Sequence, residues 1–178
     1  SVLERIFQVS AASFFQVNTL QAAAMVEHLL SNLVLDKSSA VLDVYCGVGL
    51  FSVFLATRAG RLVGIELSPQ ACVDFASNLD EFNHVELYEA PAEAVLNSQN
   101  FQPSVIVVDP PRAGLGQRTL DGLLAQSAHQ IAYISCDPST LARDAERLMA
   151  DGYDLQKITL FDMFPQTYHI ESISIWQK

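Results

Sequence analysis

Short apolar runs alternate with stretches in which hydrophobic residues recur every three or four positions, and this alternation fills the chain from end to end. The apolar runs lie at residues 40–45, 61–67, 85–88, 105–108 and 131–135, each the length of a strand buried on both faces. Residues 50–57, 69–81, 92–97, 118–126 and 139–150 carry the helical period between them, and a further helix over 19–34 precedes the first run. Five strands separated by helices predict right-handed crossovers and a mostly parallel, doubly wound α/β sheet. The ending breaks the pattern. Residues 155–162 and 169–176 are strand-like runs whose connection, built on Met163, Phe164, Pro165, Gln166 and Thr167, is too short for a crossover helix, so they predict an antiparallel hairpin.

Composition narrows the class. With 178 residues, half of them hydrophobic, the chain suits one core, read as a leading segment with its helix (1–35) and a Rossmann-like core (36–178). No repeat or low-complexity tract divides it. No apolar run reaches the roughly 18 residues of a membrane span, and Glu4 and Arg5 stand where a signal peptide would turn apolar, so a soluble cytoplasmic protein, read as a monomer, is expected. Cys46, Cys72 and Cys136 are odd in number and far apart, which argues for a reducing compartment and against a disulfide framework, and they lack the paired spacing of a metal site.

In an open α/β sheet, ligands bind beyond the carboxyl ends of the parallel strands, and the polar candidates collect there. The first strand ends in Asp43-Val44-Tyr45-Cys46-Gly47-Val48-Gly49, the second in Glu66, the fourth in Asp109-Pro110-Pro111-Arg112, and the fifth in Ser135-Cys136-Asp137-Pro138. Gly47 and Gly49 let the backbone turn tightly and approach a ligand, and Glu66 stands where a carboxylate grips both hydroxyls of a ribose. A plain strand-to-helix turn would also use these glycines. Ser52 occupies the place of the third glycine in the dinucleotide fingerprint, which weakens a pyrophosphate ligand and leaves S-adenosylmethionine as the adenosine cofactor that fits. Pro110 and Pro111 remove two backbone donors and stiffen the loop that presents Asp109, although the same tetrapeptide also serves to end a buried strand.

Cys136 precedes a helix for which Asp137 is the expected N-cap and Pro138 the first residue. The helix dipole lowers the thiol pKa and the neighbouring Asp137 raises it, so sequence leaves the sign open. Glu171 stands near the start of the last strand, and because that strand runs against the others, its start lies at the carboxyl edge; an exposed edge-strand charge is the alternative. His169 either orients the Phe164-Pro165 loop or caps the strand.

A doubly wound sheet closed by an antiparallel hairpin resembles the class I S-adenosylmethionine-dependent methyltransferase fold. The motifs go further. Phe14-Phe15-Gln16-Val17-Asn18, Asp43 to Gly49, Asp109 to Arg112, Ser135 to Pro138, and Asp162-Met163-Phe164-Pro165 running on to His169 and Glu171 resemble, in order, the RNA uracil-C5 methyltransferases that act on tRNA and ribosomal RNA. That resemblance implies that Gln16, Tyr45, Gly47, Gly49, Leu50, Glu66 and Asp109 surround S-adenosylmethionine, that Cys136 attacks uracil carbon-6, and that Glu171 removes the carbon-5 proton. Leu50 replaces an asparagine often found after the glycine turn, and Asp137 replaces the usual asparagine after the nucleophile. Amine-methylating enzymes place an aromatic residue where Arg112 stands, which disfavours the alternative of an exocyclic amine acceptor; a cofactor-binding domain without turnover is the non-enzymatic alternative.

Charge then changes the picture. The chain has ten lysines and arginines and a net charge of −10, whereas RNA-binding surfaces cluster cations. Together with the absence of an initiator methionine, this leads us to expect a catalytic domain of a longer protein, with most RNA affinity supplied by an N-terminal OB-like domain outside this sequence.

Overall fold

The structure, a computed structural model, describes residues 1–99, 101–167 and 169–178. Along the chain come α1 (Thr19–Asn32), β1 (Ala40–Val44), α2 (Leu50–Ala56), β2 (Arg61–Glu66), α3 (Pro69–Asn78), β3 (Val85–Glu89) and α4 (Ala92–Ser98). They are followed by β4 (Val105–Val108), α5 (Gln117–Ala125), β5 (Gln130–Ser135), α6 (Pro138–Ala150), β6 (Asp154–Phe161) and β7 (Glu171–Gln177). The strands form one sheet in the order β3-β2-β1-β4-β5-β7-β6, with β1 to β5 parallel and β7 antiparallel to both neighbours. This is the class I methyltransferase arrangement expected from the alternating pattern and its final hairpin.

Two cores follow from side chains alternating across each strand. Val41 of β1 joins Met25, Leu29, Phe51, Leu55 and Phe75 under α1, α2 and α3. Its neighbours Leu42 and Val44 face the other way and pack with Leu96, Leu123, Leu148 and Trp176 under α4, α5 and α6. Among the described residues no helix is long and apolar enough to cross a membrane.

Three boundaries differ from the sequence reading by two residues or more, and at the two helix ends the reason is hydrogen bonding. The first helix stops at Asn32 rather than residue 34, because Leu33 turns extended and Val34 donates its N–H to the Gln130 side chain at 2.8 Å. α3 stops at Asn78 rather than residue 81, where the Asn78 amide leaves the helix face to exchange hydrogen bonds with the Gln8 backbone (2.7 and 3.0 Å) and to donate to the Val48 carbonyl (2.9 Å). The last strand begins at Glu171, two residues after its expected start, leaving His169 in the connection.

The leading segment is strapped across α3. Ser10 donates its backbone N–H (2.8 Å) and its hydroxyl (2.7 Å) to the buried Asp74 carboxylate, and Ser13 adds its own hydroxyl at 2.6 Å. Buried carboxylates persist when their oxygens are satisfied, and this one anchors the chain that leads to Gln16. On the far side of Gln16, Asn18 caps α1 through the Gln21 N–H and reaches the Met163 carbonyl at 3.4 Å.

Candidate active site

The β1 exit turn is set by three residues in sequence. Tyr45 takes a positive φ of 64°, costly for a residue with a side chain, while its N–H and that of Cys46 both donate to the Ile65 carbonyl. Gly47 continues the turn at φ 55°, and a Cβ built there would meet no atom within 4 Å, so this backbone faces open space. Gly49 differs: a Cβ there would stand 2.5 Å from Leu79 Cδ1 and 3.1 Å from Phe75 Cδ2, so its small size serves packing against α3. Leu50, placed at the cofactor by family resemblance, opens α2 and is buried in the core beneath it.

Glu66 ends β2 with both carboxylate oxygens oriented by backbone. One accepts from the Gly47 N–H at 2.9 Å, the other from Leu67 (2.9 Å) and Ser68 (2.8 Å). The carboxylate thus fastens the glycine turn to the next strand. Tyr45 projects toward Thr119 of α5, and burial raises its pKa while Thr119 partly offsets that rise.

Asp43 opens the first strand-end motif, and the sequence reading gave it no role of its own. It is buried; one oxygen accepts from the Ser52 hydroxyl at 2.5 Å, and the other, Oδ1, has no protein partner among the described residues. Burial pushes its carboxyl up to about 7 against the Ser52 hydrogen bond, with a further push from Glu66. The signal was an aspartate within Ala40-Val41-Leu42-Asp43-Val44, a sequence otherwise suited to a fully buried strand. Gln16 repeats the motif: it is buried, and its Oε1 likewise lacks a protein partner among the described residues.

Asp109 follows β4 with its N–H on the Val44 carbonyl. It keeps some surface exposure, yet its carboxyl lies deep enough that burial, then Glu171 and Asp43, push it up to about 8. Across the sheet, the antiparallel register pairs Ser135 with Ser172 as the last match between β5 and β7. One step further in that register sets Cys136 opposite Glu171, and residues opposite each other in an antiparallel pair are side-chain neighbours. In keeping with this, Glu171 is the largest electrostatic influence on Cys136 after burial.

The structure resolves the sign that sequence left open for Cys136. Burial first, then Glu171 and Asp109, raise its thiol, and Arg112 partly offsets them. Asp137 is the N-cap of α6, its carboxylate accepting from Ser139 (2.8 Å) and Thr140 (3.1 Å), bonds that hold it below the usual carboxylate range. Glu171, only 8 % exposed, is raised by burial and lowered by Arg112. Arg112 is therefore the cation of the site, a residue whose sequence signal had been read only as a missing aromatic. Cys46 and Cys72 are buried. His169 sets its ring edge-on to Phe164 at 6.3 Å, favouring the loop-orienting role over a strand cap.

Asp43 and Asp109 make stability fall with pH. Both retain a proton in the folded ligand-free chain where the unfolded chain, with ordinary carboxyls, has lost it, so folding loses free energy as pH rises toward about 7 and about 8. Each such group contributes at most roughly 1.4 kcal/mol per pH unit. The ligand-free chain should melt several degrees lower at pH 8.5 than at pH 6.5 by differential scanning calorimetry, and Asp109→Asn should flatten the slope. A level profile in the parent would contradict the burial of these charges.

Comparison with known proteins places this edge in context. The family model of tRNA (uracil-5-)-methyltransferases matches residues 3–90 and 91–178. An uncharacterized RNA methyltransferase of Oceanobacillus iheyensis is 40% identical over 173 residues, covering 94% of this chain and 38% of that protein, and a Streptomyces avermitilis counterpart is 38% identical over 175 residues, covering 96% and 40%. The crystal structure of Pyrococcus abyssi tRNA (uracil-54, C5)-methyltransferase in complex with S-adenosyl-L-homocysteine superposes with a TM-score of 0.83 at 32% identity, covering 96% of this chain and 41% of that one. A precorrin-6y C5,15-methyltransferase from Geobacter metallireducens, 18% identical with a TM-score of 0.74 over 97% of this chain and 95% of that one, shares the fold. The chain spans about two fifths of the length of the curated relatives described here. On motif order, sheet topology and a family match running over almost every residue, the chain belongs to the tRNA (uracil-5-)-methyltransferase family.

Proposed function

We propose that this chain is the catalytic domain of an enzyme that transfers a methyl group from S-adenosylmethionine to carbon-5 of a uridine in tRNA or ribosomal RNA, through a covalent bond between Cys136 and carbon-6. The observation that carries this reading is the β5–β7 register, whose last pair, Ser135 with Ser172, stands next to Cys136 on one strand and the buried Glu171 on the other, at the edge where Glu66 and Asp109 also stand.

The residues present fit the cofactor. Gly47 offers open backbone, Gln16 Oε1 and Asp43 Oδ1 are buried acceptors without protein partners among the described residues, and Asp43, Glu66, Asp109 and Glu171 supply carboxyls suited to a cation. Gln16, Tyr45, Gly47, Glu66 and Asp109 would hold it, with Glu66 oriented by three backbone donors to receive ribose hydroxyls. Gly49 and Leu50 would act from behind, by shaping the turn. S-adenosylmethionine supplies an electrophilic methyl on a positively charged sulfur.

Uracil carbon-5 is a weak nucleophile until electrons are pushed into the ring. Cys136 thiolate adds to carbon-6, and the displaced electron pair becomes an enolate, with carbon-5 as its nucleophilic end. Arg112, beside Cys136 and Glu171, favours the thiolate. Once carbon-5 carries the methyl group, Glu171 takes its proton; the electron pair left behind reforms the 5,6 double bond and expels the thiolate. Burial suits Glu171 to this step, since a raised carboxyl is the stronger base. The target uridine must leave its stack to reach the edge, at a cost of about a few kcal/mol.

The test is RNA carrying tritium at uridine carbon-5, incubated with the chain and S-adenosylmethionine. Methylation should release tritium to water in a one-to-one ratio with methyl groups gained. Methyl gain without tritium release would replace carbon-5 by another acceptor, such as an exocyclic amine.

A further inference from the structure

The sheet does not fix Arg112 relative to Cys136. Parallel pairing between β4 and β5 ends at Val108 and Tyr133, after which the 109–116 loop and the chain through Cys136 leave the sheet separately. A second set of bonds joins them. The Asp144 carboxylate, on α6 and 1% exposed, accepts from the Leu115 N–H (2.8 Å), the Tyr133 hydroxyl (2.7 Å) and the Arg143 Nε (2.9 Å). Arg143, so oriented, donates to the carbonyls of Ala113 (3.0 Å) and Leu115 (3.1 Å), and the Thr140 hydroxyl shares its proton between the Asp137 carbonyl (3.1 Å) and the Arg112 carbonyl (3.3 Å). The loop lies directly on these side chains: a Cβ at Gly114 would meet Arg143 Nη2 at 2.6 Å and Asp144 Oδ2 at 2.8 Å. Three side chains from one helix thus grip Arg112, Ala113 and Leu115, and the same helix begins two residues after Cys136.

We propose that Asp144, Arg143 and Thr140 form a positioning clamp that holds Arg112 beside Cys136 and Glu171, so that the site's cation stays with its nucleophile. An ion pair with only one buried partner is weak evidence of a stabilising purpose, because apolar replacement often stabilises equally well. Apart from the bond to the Tyr133 hydroxyl, the hydrogen bonds this pair makes to other residues go to the backbone of a single loop, the one that carries Asp109 and Arg112. The charged groups that act on Cys136 are Glu171 from β7 and Asp109 and Arg112 from the clamped loop, with Asp137 next along the chain engaged as the α6 cap. Of these, only Arg112 is positive, and its influence depends on where the loop lies.

The test reads the Cys136 thiol directly and needs no RNA, so it stands apart from the proposed reaction on which the functional meaning of the clamp rests. Iodoacetamide labelling of the Cys136 peptide is followed by mass spectrometry from pH 6.5 to 10.5, with folding checked by circular dichroism. Arg112→Gln should move the labelling midpoint up by about half to one pH unit. Asp144→Asn and Arg143→Gln should each reproduce most of that shift, Thr140→Val a smaller part, and Arg112→Gln combined with Asp144→Asn should add little to Arg112→Gln alone. Arg143, with a side chain about half exposed, serves if the Asp144 variant does not fold. Folded clamp variants that keep the parent midpoint, or a double variant whose shift equals the sum of the singles, would overturn the proposal.

Discussion

Cys136→Ala should abolish methyl transfer, lowering the rate by about 10⁴-fold or more, the scale seen when a covalent nucleophile is removed. The loss should fall on turnover rather than on cofactor affinity, because Cys136 belongs to the nucleophile side and the proposed cofactor residues lie at the ends of β1, β2 and β4. Isothermal titration with S-adenosylmethionine should therefore give a dissociation constant within about threefold of the parent, a change below 1 kcal/mol. The thermal midpoint should barely move, since Cys136 is only partly buried and accepts no structural hydrogen bond among the described residues. An alanine variant that still methylates uridine would remove the nucleophile from the scheme.

Glu171→Gln should do the opposite to the intermediate. Removing the carboxylate takes away the largest charge that raises Cys136 after burial, so the thiol becomes more acidic and adds to the ring more readily. The methylated adduct then has no base to take its carbon-5 proton. A covalent complex with ordinary uridine RNA should build up and survive denaturing electrophoresis, while turnover falls by about 10²–10⁴-fold, the usual share of general-base catalysis. The same change relieves Asp109, whose carboxyl Glu171 helps to raise, so the pH dependence of stability above pH 6.5 should weaken in parallel. A variant that turns over slowly without any trapped complex would move the base elsewhere.

Much of this architecture is legible without coordinates, for identifiable reasons. Runs such as Val105-Ile106-Val107-Val108 can only be strands buried on both faces, and the connection after β6 is too short to return the chain in parallel. Helix ends are harder, because tertiary hydrogen bonds decide them: nothing local to Asn78 announces that its amide will be drawn to Gln8 and Val48. The site divides in the same way. Cys136, Glu66 and Asp109 are readable because topology sends every strand end to one edge, and Glu171 because the reversed strand brings its start there. Gln16 is readable only through resemblance, since its position depends on a strap in which Ser10 is anchored at Asp74, 64 residues further along the chain. Gly47 and Gly49 look equivalent in sequence, and only the packing of Leu79 and Phe75 separates the one that faces open space from the one that fits a helix. Arg112 and Asp144 carry no local signal of their roles, which arise from charges and carbonyls brought together by folding.

The acidity of the chain also finds a place in this picture. Four carboxyls at one edge are unfavourable to RNA phosphate but favourable to a sulfonium, so the net charge of −10 is consistent with a domain shaped around its cofactor. RNA affinity supplied by further domains of a longer protein remains part of the proposal, in keeping with relatives more than twice as long as this chain.

The most direct test of the covalent scheme replaces the target uridine with 5-fluorouridine, whose carbon-5 carries no removable proton. Incubated with S-adenosylmethionine, the chain should form a methylated protein–RNA adduct stable to denaturing gels, with the RNA attached to the peptide containing Cys136. Methyl transfer to unsubstituted RNA under the same conditions, with no adduct on the fluorinated RNA, would contradict it.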